Sequence, residues 1–149
     1  MIVVDTTVLV YAVGTEHPLR APSRRLVDAV AAGAVDATTT IEVIQEFVHV
    51  RARRQGRGDA AKAGRHYAEL FAPLLVVPTA VVGAGLRVFE RTTSLGVFDS
   101  FLAATALAAG ADALISADRG FASVPRLAHV VPGTAEFDRL LEGSRRSRR

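Results

Sequence analysis

The amino-acid sequence predicts an α/β fold of three layers, with a central, mainly parallel sheet of four to five strands flanked by helices. Two observations carry this prediction: short β-branched runs alternate with longer stretches of helical periodicity, and one or two helices separate each strand from the next. Connections of that length join parallel strands. The chain has 149 residues, 50% of them hydrophobic, which suits one domain with its own core.

Five short runs predict the strands, because each is rich in apolar or β-branched residues and contains at most four residues. The predicted strands are residues 2–4, 36–39, 74–77, 113–116 and 129–131. Pro78 ends the third of them.

Seven segments with helical periodicity predict the helices. They are residues 6–13, 19–32, 40–54, 59–71, 80–91, 97–109 and 134–141. Gly33 and Gly110 follow two of them, as expected at helix C-termini, and Pro73 stops the fourth. Asp59 is expected to cap the N-terminus of that fourth helix.

Basic residues are concentrated at the C-terminus. Of 18 basic residues, four arginines lie among the last six residues, and the rest of the chain has a net charge of −1, fourteen basic against fifteen acidic residues. We therefore expect one domain over residues 1–142 and a flexible basic tail over residues 143–149. Such a tail either adds non-specific affinity for RNA or is a solvated chain end.

The missing residue types exclude several kinds of site. The chain contains no cysteine, which excludes disulfides, thiolate zinc sites, iron–sulfur clusters and thiol nucleophiles. The N-terminal residues do not resemble a signal peptide, and no apolar run is long enough to cross a bilayer. We expect a cytoplasmic protein without membrane contact.

Two aspartates follow predicted strands. Asp5 comes directly after the first strand, and Asp118 lies two residues beyond Ser116 at the end of the fourth. The carboxyl ends of parallel strands share one edge of the sheet, where open α/β proteins place their sites. Capping of the next helix is the alternative role for Asp5, although Thr6 or Thr7 could supply that cap.

The predicted helix over residues 40–54 supplies another carboxylate. At about 100° per residue, Glu46 lies at the edge of the apolar arc and Glu42 lies about 40° further into the polar arc. Glu46 is therefore expected to be held against the fold, and Glu42 to be solvated. Arginines near the end of this helix, Arg51 and Arg53 among them, form either a path for RNA or a solvated helix end.

Asp99 lies in the first turn of the predicted helix over residues 97–109. A carboxylate in that turn is stabilised by the helix dipole. However, the small residues Ala103, Ala106 and Gly110 share one face, which would let the helix approach its neighbour and bring Asp99 inward. Larger apolar residues near Asp99 are expected to be core: Val97, Phe98, Phe101 and Leu102.

Four carboxylates meeting in one place would repel one another, and a divalent cation would offset that repulsion. The four are Asp5, Glu46, Asp99 and Asp118. An all-oxygen site without thiolates suits Mg²⁺ or Mn²⁺ rather than zinc. These ions polarise phosphoryl oxygens and stabilise a departing oxygen, so the pattern indicates phosphodiester hydrolysis or another phosphoryl transfer.

Four segments together resemble the PIN domain family in order and spacing, over about residues 1–141. They are residues 2–12, 43–47, 98–106 and 114–121. A free-standing chain of this length is similar to the VapC-type toxins of type II toxin–antitoxin pairs. The resemblance implies a metal-dependent endoribonuclease that hydrolyses RNA to 5′-phosphate and 3′-hydroxyl ends with Mg²⁺ or Mn²⁺. It also implies a cognate VapB-type antitoxin and a homodimer.

The resemblance assigns roles to individual residues through the matching motifs. The family's acidic, metal-binding positions fall on Asp5, Glu46, Asp99 and Asp118. Thr6 and Ser116 fall on positions whose hydroxyls support the site, which agrees with the orientation of carboxylates by hydrogen-bonding neighbours.

Other positions depart from the family motifs or have two possible roles. Thr7 stands where the family more often has Asn or Ser, which bears on a polar contact of the first helical turn. Arg119 and Arg53 either contact RNA or are ordinary surface arginines. Asp112, just before the fourth predicted strand, is expected to be a turn residue rather than a ligand.

A PIN-fold RNA- or protein-binding module without turnover is the alternative function. Other phosphoryl-transfer folds fit less well, because a haloacid-dehalogenase-type phosphatase needs a second aspartate where Thr7 stands, and a receiver domain needs a lysine after its last strand. The only lysine is Lys62. Metal binding without RNA cleavage would favour the binding module.

Overall fold

A computed structural model describes residues 1–146, with side chains described through residue 143. The strands are β1 (Ile2–Val4), β2 (Ala37–Thr38), β3 (Ala113–Ile115) and β4 (His129–Val130). The helices are α1 (Thr6–Val13), α2 (Arg20–Ala31), α3 (Ile41–Gln55), α4 (Arg57–Leu70), α5 (Val82–Arg91), α6 (Val97–Ala108) and α7 (Ala135–Arg146). Two short 3-10 helices are Thr79–Val81 and Arg119–Ser123. None of the helices described is long and apolar enough to span a membrane.

The strands form one parallel sheet in the order β2-β1-β3-β4. Ile2 lies opposite Ala37 on one side and Ala113 on the other, so β1 is an interior strand. The residue that follows β1 therefore lies near the middle of the carboxyl edge of the sheet.

Helices cover both faces of this sheet. Successive side chains of a strand point to opposite faces, and every residue of β1 and β3 is buried. Burial on both faces is the usual condition of a parallel sheet, and the predicted three-layer α/β fold is confirmed. The largest fully buried side chains are phenylalanines, namely Phe47, Phe71, Phe121 and Phe137.

Residues 74–77 do not form a strand, so that sequence prediction is wrong. The segment makes a single parallel bridge, between Leu75 and Thr40. Prolines bound the segment at both ends, and proline cannot donate a hydrogen bond to a ladder. Val76 is 80% exposed, unlike the residues of a buried strand. The described sheet therefore has four strands, the lower number predicted.

The start of α4 also differs from the prediction. This helix begins at Arg57, before Asp59, and the residue at its N-cap is Gly56 with φ of 85°. Glycine adopts this left-handed backbone at little cost, so a tight turn joins α3 to α4 without a side-chain cap. Asp59 instead forms an ion pair with Arg51 of α3.

The last helix is longer than predicted. α7 continues to Arg146, beyond the predicted end at Leu141. Acidic side chains in its first turn interact favourably with the positive end of the helix dipole. The basic tail predicted over residues 143–149 therefore begins inside this helix. Residues 147–149 lie outside the described residues, and the flexibility of the tail stays a prediction.

Candidate active site

Asp5 and Asp118 both follow strands at the carboxyl edge of the sheet. The backbone N–H of Asp5 donates to the carbonyl oxygen of Ile115 over 3.0 Å, so the chain remains paired with β3 just beyond β1. Asp112 precedes β3 and so lies at the opposite edge, where it pairs with the N-terminal ammonium group of Met1. The expectation that Asp112 is no ligand agrees with this position.

The carboxylate of Asp5 is buried and held through one oxygen. Its Oδ2 accepts hydrogen bonds from the backbone N–H of Thr7 (3.2 Å), the Thr7 hydroxyl (2.7 Å) and the Ser116 hydroxyl (2.7 Å). The first of these makes Asp5 itself the N-cap of α1, so neither threonine serves as the cap. Within the described residues no group donates to Oδ1, which leaves that oxygen available to a ligand.

Two hydroxyls join the ends of β1 and β3. The Thr7 hydroxyl accepts the backbone N–H of Ala117 (3.0 Å), and the Ser116 hydroxyl accepts that of Asp118 (2.9 Å). Each hydroxyl has one proton and gives it to Asp5, so the 3.3 Å contact between the two oxygens is not a hydrogen bond. Thr7 therefore makes a polar contact in the first turn of α1, although the resembled family more often has Asn or Ser there.

Glu46 reaches the same region from α3. Its Oε2 accepts a hydrogen bond from the hydroxyl of Thr6 in α1, at 2.6 Å. The side chain of Glu46 is exposed, so burial does not hold it against the fold. The helical wheel predicted which side of α3 carries Glu46, but not the hydrogen bond that fixes its carboxylate. Glu42 is exposed as expected.

Asp99 is half-buried in the first turn of α6. Its pKa is raised from 3.8 to about 7, first by burial and then by the negative charges of Asp5, Glu46 and Asp118, against a smaller lowering by the backbone of Gly96. Coulombic interaction falls with distance and with exposure to water. Asp5, Glu46 and Asp118 are therefore close enough to Asp99 for their charges to add to the effect of burial on its pKa.

Small residues allow α6 to pack closely, but on a different set of positions from the one predicted. Ala103 and Ala106 have no exposed surface, whereas Gly110 is exposed beyond the helix end with φ of 65°. On the α5 side, a Cβ on Gly85 would lie 2.8 Å from the ring of Phe101. A glycine in α5, and not one in α6, completes this close approach.

Two apolar neighbours of Asp99 are exposed, although the sequence predicted them to be core. Val97 is 39% exposed and Phe98 is 77% exposed, whereas Leu102 is buried. Both exposed residues belong to the first turn of α6 and line an open cavity instead of packing between elements. Periodicity indicates which residues share a helix face, not how far the neighbouring elements cover that face.

Asp118 is held by the turn that follows it. Its Oδ1 accepts the backbone N–H of Gly120 at 2.8 Å, which starts the 3-10 helix Arg119–Ser123. A Cβ on Gly120 would lie 2.7 Å from the carbonyl oxygen of Ser94 and 3.1 Å from Asp118 Oδ1. Only glycine fits at that position without displacing the backbone at Ser94 and crowding the Asp118 carboxylate, a requirement that the sequence pattern did not reveal.

A cavity of about 830 Å³ opens beside these carboxylates. Asp5, Glu46 and Asp99 contribute to its wall, together with the apolar residues Val97 and Phe98. Gln45, Glu42 and His49 of α3 also line it. The cavity therefore combines an acidic wall with an apolar one.

The carboxylate oxygens of this site are ligands that suit a hard divalent cation. Asp5, Glu46 and Asp118 each accept hydrogen bonds through one carboxylate oxygen, and no described residue donates to the other oxygen. Ligating carboxylates are commonly oriented in this way, and oxygen ligands suit Mg²⁺ and Mn²⁺. Over residues 1–146, however, no group of three acidic or histidine side chains stands close enough to bind an ion without adjustment.

The arginines singled out in the sequence are not equivalent. Arg53 and Arg119 are exposed, Arg119 directly after Asp118. Arg51 is half-buried and paired with Asp59, so it differs from the free basic side chain that a path for RNA would need. RNA contact by Arg53 and Arg119 stays a prediction.

A family model and a known protein match this chain. The PIN domain family model matches residues 2–127, which include all four carboxylates. The chain is also similar to a protein named Ribonuclease VapC7 from Mycobacterium tuberculosis (strain ATCC 25618 / H37Rv), with 52% identity over 145 residues. That match covers 95% of this chain and 98% of the relative.

Proposed function

The chain belongs to the PIN domain family, and from this we propose that it is a metal-dependent endoribonuclease, the toxin of a type II toxin–antitoxin pair. The observation that carries the proposal is the cavity that Asp5, Glu46 and Asp99 line together, with Asp118 following β3 at the same edge of the sheet. The name of the relative from Mycobacterium tuberculosis supports an RNA substrate. An RNA substrate also agrees with action in the cytoplasm.

The cofactor proposed is Mg²⁺ or Mn²⁺, held by Asp5, Asp99 and Asp118. When bound, such an ion supplies polarisation of the phosphoryl oxygens and a lower pKa for water. Asp5 can offer Oδ1 to the ion while Thr7 and Ser116 keep Oδ2 in place. Asp99 must lose its proton to serve as a ligand, and its raised pKa keeps that proton exchangeable near neutral pH.

We propose that Glu46 acts on the nucleophile, a water molecule, or positions a second ion. Its carboxylate is fixed by the Thr6 hydroxyl and faces the same cavity as Asp5 and Asp99. In the proposed reaction a water oxygen attacks phosphorus in line and its proton passes to Glu46. The bond from phosphorus to the 3′ oxygen breaks, and that oxygen takes up a proton from solvent water. The products are a 5′-phosphate and a 3′-hydroxyl, and Arg119 and Arg53 are the proposed contacts to the RNA backbone.

The test is to map RNA 5′ ends after brief expression of the wild type and of Asp5→Asn. New 5′-phosphate ends are expected with the wild type and not with Asp5→Asn. Asp28→Asn is the matched control, since Asp28 is an exposed aspartate of α2, and it should cleave like the wild type. RNA binding by the purified wild type without cleavage would instead favour a binding module without turnover.

The proposed partners are a cognate VapB-type antitoxin and a second copy of the chain. The support for a homodimer is a row of exposed apolar side chains on α5, Val82, Leu86 and Phe89, which recur at helical spacing on one face. A row of this kind can pack against its own copy about a twofold axis. Leu86→Glu should convert a dimer to a monomer in light scattering, and an unchanged dimer mass would contradict this interface.

A further inference from the structure

Phe98 is an exposed aromatic ring directly beside the carboxylate site. It is 77% exposed, it is followed in the chain by Asp99, and it lines the same cavity as Asp5 and Glu46. Phe98 is therefore adjacent in the chain to Asp99, whose pKa is raised in part by the charges of the other three carboxylates.

The cavity is larger than the cation chemistry requires. A bound water occupies about 30 Å³, whereas this cavity measures about 830 Å³, within the range of pockets that hold organic ligands. Its apolar wall, which includes Val97 and Phe98, contributes nothing to cation binding. This wall is therefore available to an apolar part of the substrate.

The substrate part that suits this wall is a nucleobase. A base is uncharged, so the neighbouring carboxylates do not repel it. They do repel a phosphate group, unless a bound cation offsets the negative charges. Bases stack on exposed aromatic rings in proteins that bind single-stranded nucleic acids. Gln45 and His49 line the same cavity and carry hydrogen-bonding groups suited to the edge of a base.

We propose that Phe98 is a stacking platform for the nucleobase next to the scissile phosphate, so that the enzyme holds single-stranded RNA by a base as well as by its backbone. The inference rests on the proposed ribonuclease function. It separates Phe98 from the apolar row on α5, because Val82, Leu86 and Phe89 do not line the cavity.

The experiment uses RNA oligonucleotides that contain a mapped cleavage site, either intact or with an abasic nucleotide on one side of the scissile phosphate. Phe98→Ala should raise KM about tenfold, while Phe98→Tyr, which keeps a ring, should cleave like the wild type. Ile41→Ala is the control, since Ile41 is an exposed apolar residue that does not line the cavity. The melting temperature of each variant should match that of the wild type, because side chains as exposed as Phe98 and Ile41 contribute little to the core.

The decisive readout is the coupling between the ring and the base. An abasic nucleotide at the stacked position should weaken cleavage by the wild type about tenfold and cleavage by Phe98→Ala hardly at all. Equal losses in both enzymes would overturn the stacking proposal while leaving the ribonuclease function intact. A monomer produced by Phe98→Ala would also overturn it and would assign Phe98 to a protein interface. Absence of any cleavage by the wild type would overturn both proposals.

Discussion

The Thr6 hydroxyl donates a hydrogen bond of 2.6 Å to Oε2 of Glu46, and this contact ties the first turn of α1 to the middle of α3. Thr6 is buried and Glu46 is exposed, so a rigid donor holds a side chain that would otherwise rotate freely in solvent. The contact brings a carboxylate from a separate helix to the edge of the sheet where Asp5 and Asp118 lie. Asp5 and Thr6 are adjacent, so one short segment supplies a carboxylate and orients a second.

We expect Thr6→Val to lower RNA cleavage about ten- to hundredfold, because Glu46 loses the donor that orients it. The free energy of unfolding should change by no more than about 1 kcal/mol, since the acceptor remains in contact with water. Thr6→Ser keeps a hydroxyl and should retain most of the activity. Wild-type cleavage by Thr6→Val, with loss of cleavage in Glu46→Gln, would show that Glu46 acts without this contact.

Thr7 should matter for stability as well as for activity. Thr7→Val removes a donor to Asp5 and the acceptor for the backbone N–H of Ala117, at a cost of about 1–3 kcal/mol. Thr7→Ser retains both hydrogen bonds and should lie close to the wild type. Urea denaturation measures the difference, and equal midpoints for the valine and serine variants would contradict the role of the hydroxyl.

The stability of the metal-free protein should fall as pH rises from about 4 to about 7. The carboxyl of Asp99 keeps its proton up to about pH 7 in the folded chain, but loses it near pH 3.8 in the unfolded chain. The folded state therefore binds more protons across this window, and its free energy of unfolding decreases as pH increases. Melting temperatures at several pH values measure this, with chelator present throughout.

Asp99→Asn is the matched variant for that pH dependence. It should flatten the decline and melt above the wild type at about pH 8, while abolishing RNA cleavage, since it removes a carboxylate that its neighbours repel. Asp28→Asn should keep the wild-type profile. Identical pH profiles for the wild type and Asp99→Asn would assign the decline to other groups.

Gly120 should tolerate no side chain. Gly120→Ala places a Cβ 2.7 Å from the carbonyl oxygen of Ser94, so we expect a loss of about 1–3 kcal/mol and reduced cleavage through displacement of Asp118. Gly58→Ala is the control, because nothing lies within 4 Å of the added carbon and alanine favours the helix. A wild-type midpoint in thermal unfolding for Gly120→Ala would contradict the close approach.

The sequence was informative where position along a strand or helix determines position in space. Asp5 and Asp118 could be placed because the ends of parallel strands coincide at one edge. Asp99 could be expected to face inward because the small residues Ala103 and Ala106 of the same helix are buried. These inferences depend on local periodicity and on the parallel arrangement of the sheet.

Features that depend on contacts between distant segments could not be predicted in this way. The pairing of Thr6 with Glu46 joins residues forty positions apart, and a helical wheel contains no information about the neighbouring helix. Phe98 was expected to be core because aromatic residues at helical spacing usually are, but the neighbouring elements leave Val97 and Phe98 exposed at the start of α6. Residues 74–77 have the composition of a strand, but the prolines at both ends limit their pairing to one bridge.

Titration of the metal-free protein with Mn²⁺, followed by calorimetry, tests most directly whether Asp5, Asp99 and Asp118 form one cation site. The wild type and Asp28→Asn should bind Mn²⁺ with the same affinity, and Asp5→Asn, Asp99→Asn and Asp118→Asn should each bind at least about tenfold more weakly. Mn²⁺ affinity that is the same in the wild type and in all three site variants would contradict the account.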